Sequence, residues 1–332
     1  MANILEKYEK LSQLDTDFND IKFEEETYCI SLSGGVDSMV LLDLLVKQNK
    51  KLIAIHINYN NREETGVEEK FLEDYCAKLS VEFICHRFSI TRGSIRRNEY
   101  EDMTKKVKFA VYKDILEKNN IRSILLAHHK DDIIENILTN FCRGRNFLDL
   151  SVIKYENVIL GVTITRPLLN YYKSAIYNYA HFYEIPYFLD TTPDWSVRGK
   201  LRRHIFPMLH TTFNGLKPNL LHISKDSEEW FDLLNKKIIN KYYDSIICNK
   251  NIAELPIEEA PFENYRDYPL CFWQEILTRL YHFYGRSAPS RKALIIFREG
   301  LIDNTRKTMM LNKSSKAKIC TDTNMVSIQF LM

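Results

Sequence analysis

The chain has 332 residues, of which 45% are hydrophobic and 27% charged, and 46 Lys and Arg against 44 Asp and Glu leave a formal net charge of +2. That length predicts two domains with substantial cores, and the near-balance of charge excludes a global basic field as an argument for a nucleic-acid partner. No run is long and apolar enough to span a bilayer and residues 1–10 carry no secretory pattern, so no membrane partner is expected and the cytoplasm is the expected compartment. Seven scattered cysteines without a Cys-x-x-Cys pair read as reduced, mostly buried thiols, which argues against a disulfide frame, a zinc ribbon or an iron–sulfur site.

Residues 1–26 are mostly polar and read as a short helix and a lead-in. Residues 28–32 form an apolar run with strand character, and residues 39–46 are almost unbroken apolar positions with helix character. Between them lies Ser33-Gly34-Gly35-Val36-Asp37-Ser38, on a strand-to-helix turn. Two adjacent glycines let the backbone bend and bring a ligand close to bare amides, while the starting helix points free N–H groups and its positive dipole end into the same space. The two serines add hydroxyl donors. A carboxylate beside a phosphate is best explained by a bridging divalent cation, so a phosphate-bearing ligand with Mg²⁺ accounts for all six residues.

Residues 51–58 read as a second strand, 67–79 as a helix and 81–88 as a third strand. This β-α-β-α-β order predicts a doubly wound α/β fold with a mostly parallel sheet, right-handed crossovers and a ligand at the strand carboxyl ends. Residues 91–108 mix basic and acidic side chains and read as a solvated loop and helix start, continued by a helix through 109–116. Residues 122–127 form a fourth strand that runs directly into His128-His129-Lys130-Asp131-Asp132-Ile133-Ile134-Glu135. Asp132 and Glu135, three apart, share a helix face, with His129 close enough to join them. Carboxylates suit Mg²⁺ and a histidine can steady phosphate or move a proton, although acidic residues also cap helix N-termini.

A fifth strand is expected over 158–162 and a helix over 172–183. Residues 198–204 then hold the densest basic patch, with Arg198, Lys200, Arg202, Arg203 and His204 beside Trp195. Beyond about residue 209 aromatics and leucines recur at helical spacing, followed by short β-like runs within 307–330. The expected organisation is therefore a domain over 1–210 and a smaller, mainly helical domain over 211–332 ending in a short β element, with Trp230 and Trp273 in its core.

The Ser33–Ser38 turn resembles the pyrophosphate loop of the N-type ATP pyrophosphatases, and the wider chain resembles the tRNA(Ile)-lysidine synthetase family. The motifs come in that family's order: the loop itself, His56-Ile57-Asn58 with Arg62, Ala127-His128-His129-Lys130-Asp131-Asp132-x-x-Glu135, Arg143-Gly144, Arg166-Pro167-Leu168-Leu169, and the segment from Asp190 to Arg202. Departures include Tyr59-Asn60-Asn61 for His-Gly-Leu, Lys105 and Lys108 for two arginines, and Gly199 for Asn.

The resemblance implies an adenine nucleotide alpha hydrolase-like fold and an ATP-dependent ligase that adenylates a cytidine carbonyl of tRNA and joins lysine, or another small nucleophile, to it. By the same resemblance Ser33, Gly34, Gly35, Asp37 and Ser38 would hold the ATP phosphates, and Asp37 and Asp132 the Mg²⁺. His56 and Asn58 would lie near the adenosine, and His129, Asp132, Glu135, Arg198 and Arg202 would complete the catalytic site. A homodimer is compatible with this reading. Two rival readings are a relative that transfers sulfur or an amine to another acceptor, with Cys142 as the candidate thiol although burial is its expected fate, and an inactive nucleotide- or RNA-binding paralogue. The intact set of Asp37, Asp132 and Glu135 weighs against the second.

Overall fold

The apolar run that opens the sheet forms β1 (Thr27–Ser31), with Cys29 and Ile30 fully buried on opposite faces. The computed structural model describes residues 18–60, 64–88, 96–145, 150–190, 192, 194–259, 263–303, 308–320 and 323–331. Arg62, part of one sequence motif, lies outside the described residues. The chain divides into two compact units, one of residues 1–145 and 150–224, the other of residues 146–149 and 225–332.

In the first unit β1 pairs in parallel with β2 (Lys51–Asn58), which pairs in parallel with β3 (Glu82–Arg87). On its other edge β1 pairs in parallel with β4 (Ile124–Leu125), and β6 (Val162–Thr165) follows, parallel to β4. The strand β5 (Glu156–Ile159) closes that edge antiparallel, giving the order β3-β2-β1-β4-β6-β5. Leu52 to Ile55 are all buried, an unbroken apolar run that only a sheet covered on both faces accommodates.

Helices α1 (Val36–Lys47), α2 (Thr65–Lys78), α3 (Arg97–Lys118), α4 (Lys130–Cys142) and α5 (Lys173–Phe182) supply the cover. Leu41 and Leu45 of α1, Leu72 of α2 and Ile176 and Tyr179 of α5 share one core with Ile30 and Ala54. Phe109, Tyr112 and Ile115 of α3 share the other with Cys29, Ile53, Ile55 and Ile164. The strand order reverses direction between β1 and β4, so the loops that leave these two strands open side by side, which is where open α/β sheets bind ligands.

The expected fifth strand over 158–162 is instead a hairpin. Leu160 and Gly161 have φ of 50° and 78°, and two successive positive values reverse the chain between β5 and β6. A leucine there hides the turn from a sequence reading, because its side chain carries no turn signal.

In the second unit the strands Thr308–Asn312, Ser315–Cys320 and Met325–Phe330 form a meander, extended by Ile252–Pro256 and Ile247–Cys248 into a five-stranded antiparallel sheet. Trp273, Ile276, Leu277 and Leu280 of the helix Leu270–Phe283 pack with Leu255, Ala317 and Ile328 of that sheet in one core. Trp230 is 61% exposed, contrary to its expected burial, whereas Trp273 is fully buried. Only Cys29 and Cys76 are buried; Cys142, Cys248 and Cys271 are exposed, so the expectation of mostly buried thiols fails, for Cys142 included. Cys142 ends α4 and lies outside the stripe of Ile134, Ile137 and Asn140 that this helix buries. Among the described residues no helix is long and apolar enough to cross a membrane.

The strain at Leu160 gives a direct test. Leu160→Asn keeps the hairpin and removes the positive-φ penalty on a γ-branched side chain, so stability rises by about 0.5–1 kcal/mol, read as a higher urea midpoint at unchanged slope.

Candidate active site

The chain leaves β1 at Ser31, and Leu32 still bonds to β2 through its N–H to the Ile55 carbonyl, 2.8 Å. The imidazole of His56 donates from Nδ1 to the Leu32 carbonyl at 2.8 Å, so a buried histidine fixes the last peptide before the turn. Gly34 then adopts φ +81°, and a Cβ on it would lie 2.6 Å from a ring carbon of Phe188. Phe188 donates its N–H to the Gly34 carbonyl at 2.9 Å. Only glycine satisfies both the backbone angle and the aromatic contact.

Gly35 caps α1, whose first-turn amides at Val36, Asp37 and Ser38 precede the first intrahelical bond, from Met39 N–H to the Gly35 carbonyl. Ser38 Oγ donates to the Gly35 carbonyl at 3.0 Å and accepts from Ser33 N–H at 3.2 Å, while the two serine hydroxyls lie 3.1 Å apart. The serines thus stitch the turn shut and leave the helix N-terminus with its donors facing the space in front of it.

Across that space α4 begins at the end of β4. Asp132 and Glu135 are each only 6% exposed, and two ionised carboxylates can be buried in one helical turn only with cations against them. Arg198 donates from Nε to Glu135 at 2.9 Å and from Nη2 to Asp132 at 3.2 Å. Arg202 donates from Nε to Glu135 and from Nη2 to both carboxylates, and its Nη1 reaches Asp190 at 2.9 Å. Both arginines come from one distorted helix, where Val197–Lys200 passes through a π-helical turn, Leu201–Ile205, into Phe206–Thr212. Pro207 cannot donate to the carbonyl four residues back, which gives the widened turn its local cause.

Burial opposes ionisation of Asp132, but His129, His128 and Arg198 outweigh it and hold its pKa below the ordinary value. For Asp190 burial is overcome by two hydrogen bonds from Thr192 and by Arg202, which bring it from 3.8 down to about 2. Burial works against the Arg202 charge too, and Glu135 more than reverses it.

Lys173 enters from the start of α5. Its Nζ lies 2.6 Å from each oxygen of Asp37, and its own N–H is held by Asp131 at 2.8 Å. Lys217 pairs with the other oxygen of Asp131. His129 is buried below this group, its Nε2 3.6 Å from Asp37 and 3.5 Å from Asp132. Asp132 in turn accepts from the His129 N–H at 3.1 Å and caps α4. Mg²⁺ is held by one or two carboxylates together with substrate phosphates, and Asp37 and Asp132, both on the cleft, fit that donor chemistry. Among the described residues no three His, Cys, Asp or Glu form a metal-binding cluster, so the fit requires the phosphates.

The loop, Asp132 and the two arginines line one cleft of about 420 Å³. Residues 5–209, more than half of the chain, match the PP-loop domain family. The chain belongs to that family. It is similar to a tRNA(Ile)-lysidine synthase of Mesoplasma florum, 28% identical over 70% of this chain and 58% of that protein. It is similar also to a tRNA(Ile)-lysidine synthase of Chlamydia muridarum, 25% identical over 76% of this chain and 79% of that protein. The chain thus spans little more than half the length of the first of these relatives. Among solved structures it is similar to the U34-tRNA thiolase NcsA from Methanococcus maripaludis, solved with its [4Fe–4S] cluster, with a TM-score of 0.50 and 17% identity over 69% of this chain and 80% of that one. At that identity the likeness concerns the fold alone.

Of the residues expected from sequence, Ser33, Gly35, Asp37, Ser38, Asp132, Arg198 and Arg202 line the PP-loop cleft. Gly34, His129 and Glu135 stand immediately behind its wall, packed on Phe188, Asp37 and the two arginines respectively. His56 and Asn58 do not line it. His56 supports Leu32, and Asn58 donates to Glu69 at 2.6 Å and to the Thr65 carbonyl at 3.3 Å, tying β2 to α2.

Sequence reasoning missed Lys173, Lys108, His128 and Asp190 as cleft residues. One signal was present for Lys173: a cation at the first position of a helix opposes the dipole and needs an anionic partner. The basic patch at 198–204 is also less open than its composition implies, since Arg198, Arg202 and Arg203 each pair with a carboxylate.

Two outcomes follow from these ion pairs. Arg202→Met leaves Glu135 with Arg198 alone and lowers stability by on the order of 2 kcal/mol, and Glu135→Gln added to it recovers part of that loss in a double-mutant cycle by urea denaturation. Asp190 has a folded pKa below its ordinary one, so its contribution is complete above about pH 4 and is lost as pH falls toward 2. Circular dichroism across that window shows a shallower decline for Asp190→Asn.

Proposed function

We propose that the chain is an ATP-dependent tRNA-modifying ligase that adenylates the C2 carbonyl oxygen of a cytidine, releasing pyrophosphate, and joins the lysine amine to C2 as the C2–O bond breaks and AMP leaves. The observation that carries this reading is the meeting, in one cleft, of the PP-loop helix N-terminus with the Asp132–Glu135–Arg198–Arg202 cluster. The names of the tRNA(Ile)-lysidine synthase relatives support the same choice of substrate.

In this reading the hydroxyls of Ser33 and Ser38 and the amides of the first turn of α1 bind the leaving pyrophosphate, where fixed donors stabilise developing charge without reorganisation. Asp37 and Asp132 would hold Mg²⁺ against the phosphates, and the ion would neutralise charge on the phosphate oxygens. Lys173, beside Asp37, is a further cation within reach of the same oxygens. Arg198 and Arg202 present their outward faces to the adenylated base or its phosphates while Glu135 keeps them in place. His129, buried between Asp37 and Asp132, sets the spacing of the two carboxylates.

Turnover of ATP to AMP and pyrophosphate, measured with Mg²⁺ and labelled lysine, is expected to depend on added total tRNA. Mass analysis of the tRNA nucleosides then shows one cytidine heavier by lysine less water. AMP formation without that product would sink the lysidine reading and leave an adenylating enzyme with another acceptor.

A further inference from the structure

Arg166 has no part in the chemistry above, yet it is only 3% exposed and directly follows β6. Its guanidinium donates from Nη1 to the Lys154 carbonyl at 2.6 Å and to Asn157 Oδ1 at 2.8 Å. Its backbone N–H is held by the Tyr155 carbonyl at 2.9 Å, so backbone and side chain are both fixed by the segment that leads into β5 and by β5 itself. Its Nε donates to Nδ1 of His128 at 3.1 Å.

That contact leaves one arrangement of protons. A guanidinium has only donors and does not deprotonate in proteins, so Nδ1 of His128 must be the acceptor. A neutral imidazole then carries its proton on Nε2. His128 lines the cleft beside Lys108, Asp132 and Arg198, and among the described residues no side chain or carbonyl accepts from its Nε2.

We infer that Arg166 is a positioning residue that locks His128 as a neutral Nε2–H donor toward an oxygen acceptor of the bound substrate, and so bars His128 from acting as a general base. The acceptor is a phosphate oxygen of the nucleotide or a carbonyl oxygen of the base; this part rests on the proposed function, whereas the tautomer does not. Burial, reinforced by the charges of Arg166, Arg198 and Lys108 and opposed by Asp132, takes the His128 pKa from 6.5 down to about 4, so the ring stays neutral near neutral pH. His129, its neighbour, instead faces two carboxylates, with Nε2 3.6 Å from Asp37 and 3.5 Å from Asp132.

The tautomer is read directly in the ligand-free protein. Long-range ¹H–¹⁵N spectra of histidine-labelled chain, with His128 assigned by its loss in His128→Gln, are expected to show protonated Nε2 and bare Nδ1, unchanged between about pH 6 and 8. Arg166→Met releases Nδ1 and gives a mixture of tautomers. A protonated Nδ1 in the wild-type chain, or titration of the ring in that window, overturns the inference whatever reaction the enzyme performs.

Two further variants separate donation from proton transfer. A Gln amide can replace the Nε2–H, so His128→Gln weakens the affected step by less than about threefold, while His128→Leu weakens it about 10- to 100-fold. Loss of ATP·Mg²⁺ affinity by calorimetry assigns the acceptor to the nucleotide. Loss confined to the tRNA-dependent step assigns it to the base. Equal damage in both variants, or none in either, overturns the donor role. Absence of ATP binding by the wild-type chain sinks the proposed function instead, and leaves the measured tautomer standing.

Discussion

Two carboxylates buried within one turn of α4 set the terms for everything around the cleft. Arg198 and Arg202 reach both Asp132 and Glu135 from a helix more than sixty residues further along the chain, and set cations against both buried carboxylates. Arg202, in the π-helical turn at Leu201–Ile205, in turn brings Asp190 into the network. The same carboxylates have Asp37 and Lys173 on the far side of His129. Charge is therefore balanced by sharing among neighbours, since Arg198 and Arg202 each face both carboxylates. A site built this way resists distortion, since moving one side chain unbalances several.

The fold places this network where a ligand can reach it. A reversal of strand order opens a crevice between β1 and β4, and each bordering loop leads into a helix whose N-terminus faces inward. His56 and Asn58 show how far the support extends. One holds the last peptide of β1 and the other ties β2 to α2, so both maintain the PP-loop without lining its cleft.

What a sequence reading reaches follows from the range of the interactions. The turn from Ser33 to Ser38 is legible because its glycines, serines and helix start act on one another within six residues. The helical spacing of Asp132 and Glu135 is legible for the same reason. The cations that neutralise them are visible as a basic patch, but their partners are not, and three of its arginines prove paired with carboxylates. Lys173 and Asp37 are 136 residues apart, beyond any local pattern. A pair of adjacent histidines is likewise ambiguous in sequence: on the strand-to-helix turn His128 meets the cleft and Arg166, while His129 turns into the wall. The Leu160–Gly161 hairpin escaped because leucine carries no turn signal. Trp230 and Cys142 show that an apolar side chain's burial depends on which stripe of its helix meets the core.

The contact of Phe188 with Gly34 carries a consequence for the order in which the molecule assembles. Gly34, two residues before the helix start, is held by a phenyl ring 154 positions later, and Gly35 forms a lone parallel bridge with that same phenylalanine. A phosphate loop is usually pictured as a local motif that any strand-turn-helix unit carries. Here its final shape is a long-range property, and during synthesis it waits for nearly the whole first unit to leave the ribosome. Nucleotide binding then becomes a late event of biogenesis, available only to chains whose first unit has already closed.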